Sequence, residues 1–267
     1  MKRIKYALAV HCGLIAVFLL QGCQTTSDGN KADPRKSAEV RTQIAAEYIR
    51  TGELDAAKRS LDEALAKDRY DPLAHMMMGV LLQQEGSPTN LAKADEYFKR
   101  AVSLNSSDAQ IRNNYGRYLY QMGRYTEAAK EFKIAGTTLG YNQRAWSLEN
   151  LGQTYLKLND QVNAEKAFIS ALQVNPNSAI ALYELSNLNL QKANYKVASQ
   201  LYQNYVKVVG VNNQRAAALW TGIRIAHANN DNINLQVLVN QLRALYPDSQ
   251  EYRNYLQLQY KTEAVWK

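Results

Sequence analysis

Chemistry in this chain would have to come from very few side chains. The sequence holds two cysteines, Cys12 and Cys23, and three histidines, His11, His75 and His227. A thiolate can take up an acyl or lipid group, and an imidazole can relay a proton or ligate a metal. His75 and His227 lie far apart in sequence and show no metal-ligand spacing. There is no His-Glu-x-x-His, no Gly-x-Ser-x-Gly and no phosphate-cradling glycine loop. The histidines read as helix-surface or packing residues. The expectation is a protein that is not an enzyme and has no metal, no cofactor and no small-molecule substrate. Cys23 is the one residue with a context of its own.

That context is a leader. Lys2, Arg3 and Lys5 precede an apolar run from Tyr6 to Leu20, and then come Gln21, Gly22 and Cys23. A basic start, an apolar stretch too short for a comfortable membrane span and a small residue before the cut describe a secretory signal over residues 1–22. Its ending resembles the bacterial lipoprotein signal. The resemblance implies that Cys23 takes a diacylglyceryl group and becomes the mature N-terminus, so a covalent lipid is the only non-protein group expected. Gln24 stands where an aspartate would hold such a protein at the inner membrane, so the resemblance points to the outer membrane, facing the periplasm. Several acyl chains anchor stably where one does not. Residues 23–36 are polar and without hydrophobic periodicity, and read as a lipidated flexible tether.

Loss of the leader removes Cys12 and three cations. The formal net charge of +8 then becomes +5, and no disulfide is left to stabilise the fold. Lysines and arginines are spread without a dense stripe, which argues against nucleic-acid binding.

Five copies of one spacing organise the rest: Ala57-Leu61-Ala64, Ala94-Phe98-Ala101, Ala128-Phe132-Ala135, Ala164-Phe168-Ala171 and Ala198-Tyr202-Tyr205. The leading alanines lie 37, 34, 36 and 34 residues apart. Twelve residues before Ala164 and Ala128 stand Gly152 and Gly116. This is the pattern of the tetratricopeptide repeat (TPR). A sixth unit around Leu219-Trp220-Thr221-Gly222 is degenerate, with Asn234 and Gln241 where alanines would sit. Asp33-Pro34, Asp71-Pro72 and Ser87-Pro88 mark helix starts, as do Asp108 and Ser178. First helices are predicted near 34–51, 72–86, 108–123, 143–158, 178–193 and 213–229. The expected fold is an all-α, right-handed TPR superhelix of six helix pairs over 37–248. A C-terminal capping helix follows in 249–267, from about Ser249 to Val265.

By resemblance to TPR domains, the second, fifth, ninth, twelfth and thirteenth positions of each first helix face a concave groove. A partner-binding groove would then include Ile49, Leu73, Met76, Val80, Asn113, Arg117, Tyr120, Trp146, Glu149, Leu156, Tyr183 and Asn187. Its wall would be apolar towards the N-terminal end and mixed polar and aromatic beyond. The run Met76-Met77-Met78 could supply an adaptable surface, or any of the three could face the core.

Further stretches resemble a narrower family. Asn113-Asn114-Tyr115-Gly116, Arg124-Tyr125-x-Glu127-Ala128, Thr138-Leu139-x-Tyr141, Glu149-Asn150-Leu151-Gly152, Gly222-Ile223-Arg224-Ile225-Ala226 and Leu245-Tyr246-Pro247 are similar to the type IV pilus biogenesis lipoproteins of the PilF/PilW kind. That resemblance implies a pilotin, which binds the pilus secretin and promotes its outer-membrane localisation and multimerisation. Its partners would be the secretin subunit and, through the acyl anchor, outer-membrane lipid. The alternative is a general TPR scaffold lipoprotein for outer-membrane protein or cell-wall assembly.

Overall fold

The computed structural model describes residues 33–259, with the side chains of 33–258. The leader, Cys23 and most of the tether lie outside the described residues, as does the last part of the predicted capping helix.

Thirteen α-helices and no strands occur among the described residues. They pair as α1 (Pro34–Thr51) with α2 (Leu54–Lys67), α3 (Pro72–Glu85) with α4 (Pro88–Leu104), and α5 (Ala109–Gln121) with α6 (Tyr125–Thr137). Then come α7 (Arg144–Lys157) with α8 (Gln161–Val174), α9 (Ala179–Gln191) with α10 (Tyr195–Val209), α11 (Ala216–Ala228) with α12 (Asn232–Leu245), and a single α13 (Gln250–Gln259). Odd-numbered helices from α1 to α11 are the first members of their pairs. α1 begins at Pro34, inside the stretch read as tether and where the Asp33-Pro34 cap predicts it.

The starts are set by side chains that satisfy otherwise unpaired amides. Asp71 accepts from the backbone N–H of Leu73 and Ala74, Asp108 from those of Gln110 and Ile111, and Ser178 from that of Ala181. The sixth first helix departs from expectation. It begins at Ala216, after a 3-10 turn at Val211–Asn213. Gln214 is buried in this connection, held by the Tyr202 hydroxyl, which donates to its Oε1. Its backbone carbonyl accepts from the Tyr246 hydroxyl at 2.8 Å.

The repeat motif works by pairing a missing side chain with a large one. Phe98, Phe132 and Phe168 are fully buried, each against the glycine of its own first helix. A Cβ on Gly79, Gly116 or Gly152 would come within 3.0, 2.8 and 2.5 Å of the ring, so an added side chain presses on the phenylalanine least at Gly79 and hardest at Gly152. Where Leu61 replaces the aromatic, Ala45 stands at the glycine register, and both are fully buried in one cluster. In the fifth pair Tyr202 reaches across to Gly222 of the next repeat instead. One large buried cluster runs from α1 to α9, and smaller ones around Tyr202 and Leu219 follow, with Leu172, Leu201 and Leu238 partly buried between them, so neighbouring repeats lean on one another.

Candidate partner-binding groove

Successive first helices pack side by side, α1 on α3, α3 on α5, α5 on α7 and α9 on α11. Their common face is the wall of the expected groove, and the structure divides the twelve predicted residues in two.

Four are not on the surface. Met76, Asn113 and Glu149 occupy the same register, the fifth position, and all are buried. This register sits at the joint with the next repeat. The Met76 sulfur accepts from Asn114 Nδ2 at 3.4 Å, Asn113 Oδ1 accepts from the Ser147 hydroxyl at 2.9 Å, and Glu149 Oε1 accepts from the Ser178 hydroxyl at 2.6 Å. Thr42, at that register in the first helix, donates to Asp71 at 3.2 Å. In the first four repeats position five is therefore a fastening between repeats, whereas in the fifth it is Tyr183, which stays half-buried. Ile49 is also buried, in the cluster that holds Ala57 and Met78. Of the methionine run, Met76 and Met78 are buried and Met77 half-buried, so the run belongs to the core.

The other eight remain accessible. Leu73 and Val80 are half-buried on α3. Arg117 is exposed, Tyr120 is half-buried edge-on to Tyr125, and Trp146 is 62% exposed. Leu156, Tyr183 and Asn187 come together around a hollow of about 300 Å³ between α7, α9 and α11. Glu184, Trp220 and Arg224 also line it. Asn187 Oδ1 accepts from the Thr221 hydroxyl at 2.8 Å, which fixes the floor of the hollow across the α9–α11 joint. Burial pushes the Glu184 carboxyl above the usual carboxylate range, against the opposing pull of Arg215. Burial likewise holds the Arg224 guanidinium below its ordinary value, with Tyr183 opposing.

Glu184, Trp220 and Arg224 were not among the predicted groove residues. They stand at the sixth and tenth positions of their repeats, outside the groove positions assigned from the sequence. The one hint was the Gly222-Ile223-Arg224 stretch, which departs from the repeat consensus. The histidines take no part in a shared site. His75 Nε2 lies 3.0 Å from the Arg69 carbonyl with its ring 5.8 Å from Tyr97, and His227 is exposed near the end of α11. Among the described residues, no group of three or more His, Cys, Asp or Glu side chains could hold a metal ion.

A surface of this kind, with helix pairs presenting side chains and no reactive cluster, is suited to holding another polypeptide. Known proteins share it. The tetratricopeptide-repeat family profile matches residues 89–136 and 150–210. The type IV pilus assembly protein PilF of Pseudomonas aeruginosa is 31% identical over 240 residues, covering 88% of this chain and 93% of that protein. The chain belongs to the PilF family. The solved structure of Pseudomonas aeruginosa PilF superposes with a TM-score of 0.76 at 30% identity, over 84% of this chain and 98% of that one. PilW, described as a widely conserved type IV pilus biogenesis factor, superposes at 0.67 with 26% identity, over 82% of this chain and 98% of that one. The all-α TPR superhelix read from the repeats is thus the family's architecture.

The PilF/PilW-like stretches noted in the sequence can now be placed. Asn113 and Glu149 sit in joints between repeats, and Gly222-Ile223-Arg224 combines a packing glycine, a core isoleucine and a groove cation. Thr138 to Tyr141 forms the loop from α6 to α7, turned by Gly140 at a φ of 81°.

Proposed function

We propose that this chain is an outer-membrane lipoprotein of type IV pilus biogenesis, a pilotin that binds the pilus secretin and promotes its localisation and multimerisation. The observation that carries the reading is its relation to Pseudomonas aeruginosa PilF along nearly the whole of both chains. The lipoprotein-type ending at Cys23 supports it. An acyl group there commits the carrier to the outer membrane, and a segment held in the groove shares that destination without any bond being made or broken.

The ten steps from Cys23 to Asp33 span at most about 35 Å when extended. Bound subunits are therefore held in a thin layer at the membrane, which raises their effective concentration for ring formation. Recognition falls to the accessible side chains: Leu73, Val80, Arg117, Tyr120, Trp146, Leu156, Tyr183 and Asn187.

The test is made in a deletion strain, separating inner and outer membranes and probing for heat-resistant secretin multimers. Loss of multimers, or monomer stranded in the inner membrane, is expected. Replacing Cys23 by serine should give a soluble protein and the same stranding. Normal outer-membrane secretin in the deletion strain would overturn the pilotin reading, and normal secretin with Cys23→Ser would overturn escort by the lipid.

A further inference from the structure

The second helices carry a pattern that neither the repeat motif nor the groove accounts for. Each buries the residues that stand zero, four and seven places along its motif, from Ala57, Leu61 and Ala64 on α2 to Ala198, Tyr202 and Tyr205 on α10. On α12 those places fall to Leu235, Val239 and Leu242, one residue later than the Asn234 and Gln241 that spacing put there. At 3.6 residues per turn, the opposite side of each helix lies two places before the first of these and two, five and nine places after it. All twenty-four residues at those places on the six second helices are exposed. First helices pack side by side and each second helix packs on first helices, so this side is the outer surface of the superhelix.

The composition of that surface changes along the chain. On α2 and α4 its charged residues are mixed, Asp55, Asp62 and Glu96 with Arg59 and Lys99. On α6, α8, α10 and α12 they are Lys130, Lys133, Lys166, Lys196 and Lys207, and no carboxylate stands among the sixteen residues. None of these lysines takes part in an ion pair among the described residues. Glu127, the one exposed carboxylate on the four helices, stands off the outer line and is paired with Arg124. Outer places on α8 and α12 also hold large aliphatic side chains, Val162, Ile169, Ile233 and Val237, which are 45–80% exposed. Nowhere along α2, α4 or α6 is a large apolar side chain exposed.

Two hollows flank α10 and include residues of this surface. The first, of about 450 Å³, is lined by Ile169, Leu172, Val197 and Leu201 among others. The second, of about 390 Å³, is lined by Val206, Val211, Val237 and Leu238 together with Lys207. The carboxylates that reach them are held elsewhere, Glu165 by Lys192 and Asp231 by the cap it forms on Asn234 of α12.

Lysines without acids, aliphatic side chains at the same level and apolar hollows beside them are complementary to a bilayer of anionic phospholipid. Such a surface offers phosphates to the cations and acyl chains to the rest. A second copy of this chain fits less well, since it would set these lysines against one another or against the mixed charges of α2 and α4. We propose that the outer face of α8, α10 and α12 docks on an anionic bilayer surface, with Lys166, Lys196 and Lys207 at the headgroups and Ile169, Ile233 and Val237 in the interface. None of the described helices is long and apolar enough to cross a membrane, so the contact is peripheral. It is separate from any acyl group on Cys23, and it turns the concave wall away from the bilayer.

The experiment uses the whole mature chain with Cys23→Ser, so that no acyl group contributes, and co-sedimentation with vesicles of phosphatidylcholine alone or mixed with phosphatidylglycerol. The chain should bind the mixed vesicles and not the neutral ones, and binding should fall with added salt. Lys166→Gln/Lys196→Gln/Lys207→Gln should weaken binding about a hundredfold, at about fivefold per lysine. Ile233→Ser/Val237→Ser should weaken it about tenfold at every salt concentration. Arg59→Gln/Lys93→Gln/Lys99→Gln removes as much charge from α2 and α4 and should leave binding within about twofold. All the substituted residues are exposed, so every variant should melt like its parent. Equal binding to both kinds of vesicle, or equal loss from the change on α2 and α4, overturns the inference. A chain that ignores both vesicles but self-associates through these same residues gives the face to a second copy and overturns it too. Purified chain and vesicles contain no secretin, so failure here leaves the pilotin reading standing. Normal secretin multimers in a deletion strain would remove that reading and keep this one.

Discussion

Gly152→Ala is the sharpest test of how the helix pairs close. In an ordinary helix the change stabilises by about 1 kcal/mol, because alanine loses less backbone entropy than glycine. Here the new methyl would lie 2.5 Å from the Phe168 ring, and that ring is fully buried with no open space to enter. Overpacking of this kind costs about 1–3 kcal/mol, which exceeds the propensity gain. The net expectation is a loss of about 1 kcal/mol, or a melting temperature lower by about 2–4 °C in a domain of this size. Gly79→Ala supplies the internal comparison. Its methyl would lie 3.0 Å from Phe98, so the gain and the cost nearly cancel. Thermal and urea melts of the Cys23→Ser mature chain, followed by circular dichroism, measure both. Combining Gly152→Ala with Phe168→Leu should lose less than the sum of the single changes, because the pair is in direct contact. Gly152→Ala more stable than wild type, or Gly79→Ala the worse of the two, would refute the idea that the aromatic ring dictates the glycine.

Two further outcomes follow from buried charges. Arg112 Nη1 lies 2.6 Å from Glu131 Oε2, and both side chains are almost wholly enclosed. Glu131→Ala leaves the guanidinium without its partner and should cost about 3–5 kcal/mol in urea melts, whereas a cost below about 1 kcal/mol would mean that Arg112 swings out to water. Burial pushes the Glu149 carboxyl above the usual range, with the Ser178 hydroxyl bond opposing. Its contribution to stability is therefore fully present below the unfolded value and lost as the pH rises through the folded one. Glu149→Gln keeps the acceptor for Ser178 and removes the charge. It should raise the melting temperature at pH 7.5, with the gain vanishing as the pH falls towards 4.5. A gain that did not change with pH would exclude desolvation as its source.

The helix pairs were legible because their rule is local and repeated. Phe98, Phe132 and Phe168 recur with their glycines, and the Asp-Pro and Ser-Pro caps set helix starts that the structure reproduces within a residue or so. The sixth first helix was misplaced by three residues for a reason that spacing does not carry. Gln214 is pulled into the core by Tyr202 and Tyr246, twelve residues before it and thirty-two after it, and the chain turns there before α11 can begin.

The groove was half legible for a related reason. A register tells which way a side chain leaves its own helix but not what the next helix brings to meet it. Asn113 and Glu149 looked like recognition residues because polar side chains on a helix face normally find water. Ser147 and Ser178, thirty-four and twenty-nine residues further on, close over them and convert that face into a joint. What stays open is whatever the joints leave unused, and they leave different residues along the wall. At the N-terminal end Ile49 and Met76 go to the core, so half of the apolar surface expected there, Leu73 and Val80, stays accessible. Further along the joints absorb Asn113, Glu149 and the side-chain oxygen of Asn187, and leave Arg117, Trp146 and Lys157 exposed. The same fastening that holds the superhelix together therefore decides which side chains the groove can offer.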